Sequence, residues 1–88
     1  MSIRLVYDRH AIEDLKLLPL KTADRITAKI KWYTTQNSPL CFAKKLKQPF
    51  DGLYRFRIGE YRAIFEVTHG QKIRVLVVLR IKHRKDVY

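Results

Sequence analysis

The sequence predicts an α+β fold: an N-terminal strand, an αα-hairpin and a three-stranded antiparallel meander, with the helices packed on one face of a four-stranded sheet. Three observations carry this. A short β-branched run opens the chain, two segments repeat apolar residues at helical spacing, and three alternating segments fill the second half. With 88 residues the chain suits a single domain spanning 1–88. A domain this small buries only ~60% of its unfolded surface, so a bound partner adds usefully to its stability.

Taken in order, Ile3–Tyr7 is the first strand, and Asp8 is placed to cap the helix that follows. Ala11, Leu15 and Leu18 recur at helical spacing with Ile12 beside them, and Pro19 stops that helix. A second helix is expected over Thr22–Thr35, with Ala23, Ile26, Ile30 and Tyr33 as its apolar face and Trp32 near the edge. Arg25, Lys29 and Lys31 read as its solvated face, and Asn37-Ser38-Pro39 ends it. Residues 40–52 are expected to form a loop with at most one helical turn, carrying the basic cluster Lys44, Lys45 and Lys47 between turn markers. Strands are expected at Leu53–Ile58, Tyr61–Thr68 and Lys72–Lys82.

The chain holds 19 Lys+Arg against 8 Asp+Glu, a formal net charge of +11. The excess is spread along the chain, which argues against a disordered basic tail. A polyanion partner, above all nucleic acid including ribosomal RNA, competes with a merely solvated basic surface and with membrane-surface binding. Cys41 is the single cysteine, so an internal disulfide and a cysteine zinc site are excluded. Flanked by Leu40 and Phe42, it is expected to be a buried core thiol. No apolar run is long enough to span a membrane and no signal peptide is expected, which together with the lone thiol predicts a cytoplasmic protein.

The first hairpin can be registered by hand. Ile58-Gly59-Glu60-Tyr61 offers a two-residue type II′ turn, which pairs Ile58 with Tyr61 and sets Arg57 opposite Arg62, with Arg55 one step back on the same face. Like charges directly opposite are destabilising. Either an anion sits between them or the two arginines splay into solvent. A three-residue turn through His69-Gly70-Gln71 is expected to close the second hairpin, pairing Val67 with Ile73 and Glu66 with Arg74. That register puts Tyr54, Phe56, Ile58, Tyr61, Ala63, Phe65, Val67, Ile73, Val75, Val77, Leu79 and Ile81 beneath the helices. Arg55, Arg57, Arg62, Arg80, Lys82 and Arg84 gather on the other face with Ile64, Leu76 and Val78, and no acid at matching positions. Arginine forks suit a phosphate there. The cluster lacks the carboxylates that hold a catalytic Mg²⁺, so a mechanism without metal or cofactor is preferred.

The run Leu53-Tyr54-Arg55-Phe56-Arg57-Ile58-Gly59-Glu60-Tyr61-Arg62 resembles the central hairpin of RelE/ParE-superfamily toxins. The tail from Val77 through Arg80, Lys82, His83, Arg84 and Lys85 to Val87-Tyr88 resembles their last strand and C-terminal segment, and the element order is similar over essentially the whole chain. The resemblance implies the toxin of a toxin–antitoxin pair. RelE-like members enter the ribosomal A site and cut mRNA, using the ribose 2′-OH as nucleophile and leaving a 2′,3′-cyclic phosphate. By the same resemblance Arg62 stabilises the charged phosphate, Arg84 acts near the leaving 5′-oxygen and Tyr88 stacks on or orients a base. Arg55 and Arg57 stand where well-studied members carry lysines, one of them proposed as general base. Arginine stays protonated and is a poor base. His83 is the one nearby side chain of a type that titrates near neutrality, but strand parity sends it to the helix-covered face, so structural and catalytic roles both stay open. Lys44, Lys45, Lys47, Arg80, Lys82 and Lys85 are the expected RNA contacts. The expected partners are the ribosome with its mRNA and a cognate antitoxin with a partly acidic, amphipathic segment that folds on binding. Two other functions compete: a ParE-like inhibitor of DNA gyrase without nuclease activity, and an inactive module that binds RNA or antitoxin.

Overall fold

The structure, a computed structural model, describes residues 3–70 and 72–86. Strand β1 (Ile3–Tyr7) leads into α1 (Arg9–Lys16) and α2 (Leu20–Thr34). A 3₁₀ turn at Pro39–Phe42 precedes β2 (Ala43–Lys45), and then β3 (Leu53–Ile58), β4 (Tyr61–His69) and β5 (Arg74–His83) follow, ending in a second 3₁₀ turn at Arg84–Asp86. The strands form one five-stranded sheet in the order β1-β5-β4-β3-β2, with β1 parallel to β5 and the other neighbours antiparallel.

This corrects the expected count of four strands. The extra one, β2, lies in the segment expected to be a loop and pairs Ala43 with Phe56, Lys44 with Arg55 and Lys45 with Tyr54. Three residues are too short for alternation to reveal a strand. Two helices and three consecutive antiparallel strands, β3, β4 and β5, are present as expected, with differences in bounds and in the second hairpin. Asp8 caps α1, its carboxylate accepting from His10 N–H at 3.0 Å. The α2 helix begins earlier than the sequence indicates, because Pro19 serves as its N-cap residue and Leu20 as its first turn.

One hydrophobic core lies between the helices and the sheet. Ala11 of α1, Ile26, Ile30 and Tyr33 of α2, and Phe56, Ile58, Ala63, Phe65, Leu76, Val78 and Ile81 of the sheet are buried together. Tyr33, Phe56 and Phe65 stack in succession at centroid distances of 4.4 Å, tying α2 to β3 and β4. Each such ring contributes ~1.5–3 kcal/mol through burial. The Tyr33 hydroxyl stays satisfied by donating to the Arg57 carbonyl at 3.3 Å.

The first hairpin has the expected register, with Ile58 paired to Tyr61 and Arg57 to Arg62. Gly59 takes φ +61, as the first central position of a type II′ turn requires. The second hairpin differs. Its strands close at His69↔Arg74, not Val67↔Ile73, and Phe65 pairs with Val78 while the preceding residue, Ile64, pairs with Arg80. Leu79 is therefore an extra residue, a β-bulge that reverses the alternation of β5. Before it, Leu76 and Val78 point into the core, while Val75 and Val77 pair with Thr68 and Glu66 on the open face. After it, Ile81 points into the core and Arg80 and Lys82 point outward. The expected sides of Leu76, Val78, Val75 and Val77 are thus exchanged. The run from Val75 to Leu79 is apolar at every position, so its alternation carries no side information. Pairing with β1, which sets Leu5 beside Leu76 and Tyr7 beside Val78, selects the buried pair. Cys41, expected in the core, is exposed, because the 3₁₀ turn buries Pro39 and directs the thiol outward.

Candidate functional site

The face of the sheet away from the helices carries two basic rows. Lys44, Arg55, Ile64 and Arg80 form one by direct register, and Arg57, Arg62 and Lys82 form the next. Ile64 is only 5% exposed although it lies outside the helix-covered core.

Arg62 lies at the centre of the second row. Its Nη1 donates back to the Gly59 carbonyl at 3.2 Å and the Tyr61 carbonyl at 3.0 Å, which pins the guanidinium against the hairpin turn. Its Nε is buried without a partner. Partial desolvation and the positive charges of Arg57, Arg55 and Arg84 together hold this guanidinium below its ordinary pKa. It remains a cation, one for which an anion is favourable. Arg84 reaches this place through the backbone, because its N–H donates to the Glu60 carbonyl at 2.7 Å and docks the last turn on the first hairpin. Gly59 is needed for its conformation rather than for space, since an added Cβ would come no nearer than 3.7 Å to Arg25 Nη2.

The expectation of a cluster without acids is corrected at its margins. Arg80 belongs to a structural ion pair. Its Nε and Nη2 donate to the Asp14 carboxylate at 2.8 and 3.1 Å, and the same carboxylate accepts from Ile81 N–H at 2.9 Å. Burial raises the Asp14 pKa, but the hydrogen bonds from Arg80 and Ile81 and the charges of Arg80 and Lys82 outweigh it and hold the carboxyl below its ordinary value. The hydrogen bond from Arg80 to Asp14 in turn raises the arginine pKa. Asp14 occupies the edge of β5 just past the point where β1 ends, so it satisfies strand and side chain together. Arg80 is thereby withdrawn from the set of free RNA contacts. Glu60 approaches Arg84 at 3.7 Å, a partial neutralisation in solvent.

His83 lies on the helix side, paired with Tyr61, whose ring it meets edge-on at 5.1 Å. Its Nδ1 accepts from Lys85 N–H at 3.1 Å and its Nε2 faces Glu60 at 3.5 Å, so both ring nitrogens are engaged. Lys82 stands opposite Arg62 on the open face, and Lys85 is exposed in the final turn. Tyr88, the expected base-stacking residue, lies outside the described residues, as does Val87. The arrangement thus brings together Arg55, Arg57, Arg62, Arg84 and Lys82, with Lys44 in the neighbouring row. Sequence reasoning missed Asp14 and Glu60, whose contacts arise only from tertiary docking. Among the described residues no group of three or more His, Cys, Asp or Glu side chains comes together as metal ligands, and no helix is long and apolar enough to cross a membrane.

Residues 5–88 match the family model of the ParE toxin of the type II toxin–antitoxin system parDE. The chain belongs to the RelE/ParE superfamily of type II toxins. The fold agrees with solved members. The archaeal RelE–RelB complex from Pyrococcus horikoshii OT3 superimposes with a TM-score of 0.72 at 28% identity, covering 99% of this chain and 100% of that one. The toxin–antitoxin complex RelBE2 from Mycobacterium tuberculosis gives 0.72 at 23% identity, with 96% and 100% covered. The chromosomal ParDE system of P. aeruginosa gives 0.70 at 20% identity, with 93% and 96% covered. No curated protein matches the chain.

Proposed function

We propose that this toxin is an mRNA endoribonuclease acting on the translating ribosome in the cytoplasm, held in check by a cognate antitoxin whose partly acidic segment covers the basic face. The observation that supports the reading is Arg62. It is a partly desolvated cation whose buried Nε is unpaired, fixed to a turn and facing the charges of Arg57, Arg55 and Arg84. Holding like charges together costs stability, and that cost is offset when a phosphodiester lies among them. The 2′-oxygen attacks phosphorus, the bond to the 5′-oxygen breaks, and a 2′,3′-cyclic phosphate and a 5′-hydroxyl result. The 2′-OH proton passes to a base and the 5′-oxygen takes up a proton. Arg62 and Arg57 neutralise the equatorial oxygens, and Arg84 stands at the leaving oxygen. The engaged nitrogens of His83 favour a structural role for it, holding the last turn in place. The base then comes from Tyr88, from the ribosome or from the RNA. Metal is not required by this scheme.

A second reading, gyrase inhibition without nuclease chemistry, is favoured by the family model, which is that of a ParE toxin. Primer extension on ribosomes stalled at a defined codon separates the two, with free mRNA, EDTA and an Arg62→Ala sample alongside. Cuts within the A-site codon that vanish in the variant are expected. Intact mRNA with folded toxin, together with a supercoiling defect, would replace the first reading by the second.

A further inference from the structure

The open face of the sheet continues past the arginines. Beyond the row of Lys44, Arg55, Ile64 and Arg80, register sets Val6, Val77, Glu66 and Leu53 side by side across four strands, and Val75 with Thr68 in the row after that. None of Val6, Leu53, Val75 and Val77 belongs to the helix-covered core. Val6 is 39% exposed and the other three are half-buried. A sheet face left to water normally carries polar side chains at such positions. The bulge at Leu79 is what turns Val75 and Val77 to this side. One continuous face results, with an aliphatic half and a cationic half, and Ile64 lies at their seam. Glu66 is the one carboxylate of the aliphatic half, and its side chain makes no ion pair among the described residues.

Three occupants compete for the aliphatic half. A second copy of this chain brings another +11 charges toward the same arginines. Single-stranded RNA finds no aromatic ring in these two rows to stack on, and its phosphates meet Glu66. A helix with aliphatic side chains at one end and carboxylates at the other matches both halves. We propose that the whole open face is the docking site of such a segment, and that the order of its side chains is fixed by the face. Aliphatic residues lie over Val6, Val75 and Val77, a lysine or arginine lies beside Glu66, and acidic residues lie over Arg57 and Arg62. This rests on the reading of an antitoxin that covers the basic face, and adds the other half of its footprint and the polarity of the segment. From Thr68 to Arg62 is six residues of β4, ~20 Å, a length that ~13 residues of helix span. The two ligands therefore overlap on the arginines, and only the protein partner uses the valines.

The test is fluorescence anisotropy with two labelled, alanine-based helical peptides of ~14 residues. Both carry glutamates along the first two turns and a lysine at the middle. One carries leucines along the last two turns, where the other keeps alanine. The leucine peptide is expected to bind the wild-type toxin ~10-fold more tightly than the alanine peptide, through the aliphatic surface it buries. The double variant Val6→Thr, Val77→Thr keeps β-branched side chains in both strands and is expected to lose that advantage. It should bind the alanine peptide and an uncleavable 2′-O-methyl tetraribonucleotide as the wild type does. Exchanging the peptide's lysine for glutamate should cost ~3-fold in the wild type and nothing in Glu66→Gln. Equal affinity of the wild type for the two peptides would overturn the proposal and leave an acidic partner for the arginines standing. Binding of neither peptide would remove that partner as well. A double variant, shown folded by its melting curve, that keeps the leucine advantage would also overturn it. So would a parallel loss of affinity for the tetraribonucleotide, which assigns the valines to RNA, or a wild-type dimer in sedimentation that the variant breaks, which assigns them to a second copy.

Discussion

Arg80 and Arg62 lie on the same face of the sheet and differ in nearly everything that decides what an arginine is for. Arg80 meets Asp14 through two hydrogen bonds, and that carboxylate also closes the open edge of β5 at Ile81. Arg62 meets carbonyls of its own turn, leaves its Nε unpaired in a buried position, and faces three further arginines. Opposite charge makes the first region a clasp between α1 and β5. Like charge makes the second a region that costs stability in the free protein. An enzyme site is commonly placed where local stability has been given up, so the contrast supports the role proposed for Arg62 and gives Arg80 an architectural one.

The largest effect that would break this contrast concerns activity. Arg62→Ala is expected to lower cutting on ribosomes by ~10²–10³-fold, the effect of removing one preorganised charge-stabilising donor. Its melting temperature should be unchanged or higher, because a repelled cation has gone. A variant that loses both activity and stability would put Arg62 in the same class as Arg80.

Asp14→Ala tests the opposite corner. Loss of the acceptor for Ile81 N–H and Arg80 is expected to cost about 2 kcal/mol, which for a chain of this size is roughly 10 °C in melting temperature. Cutting measured well below the new melting point should survive. Acid probes the same clasp without mutation. The Asp14 pKa is depressed in the fold, so its contribution is complete above the unfolded-state value near ~3.9 and is lost as pH falls through the folded value. Melting curves from neutral pH down to ~3 should fall more steeply in the wild type than in Asp14→Asn.

The smallest effect sharpens the meaning of an unpaired group. The Tyr7 hydroxyl is buried without a partner, and burial pushes its pKa up to about 12. It lies on β1, away from the arginine face. Tyr7→Phe is therefore expected to be neutral or to stabilise by up to ~1 kcal/mol in denaturant unfolding, with activity unchanged. In the wild type, the raised value means that stability present below the unfolded-state pKa of ~10 is lost as pH rises toward 12. The Tyr7→Phe variant should lack that loss.

The sequence reveals the first hairpin down to the pair Arg57–Arg62, because Gly59 and strict alternation leave one register. It reveals α2 through Ile26, Ile30 and Tyr33 for the same reason, a clean period. It reveals β5 as a strand but not which side of it faces the core, because consecutive apolar residues suit either side and only packing against Leu5 and Tyr7 decides. Nor does it reveal Asp14 as the partner of Arg80, since 66 positions separate them and no local pattern joins them.

The bulge at Leu79 also makes the last strand tolerant of what a residue is and intolerant of where it falls. Exchanging one aliphatic side chain for another at this position leaves the downstream order untouched. Deleting it removes the phase shift, so that Ile81 is turned toward water while Arg80 and Lys82 are driven toward the core. A single-codon deletion there changes the address of every residue that follows it.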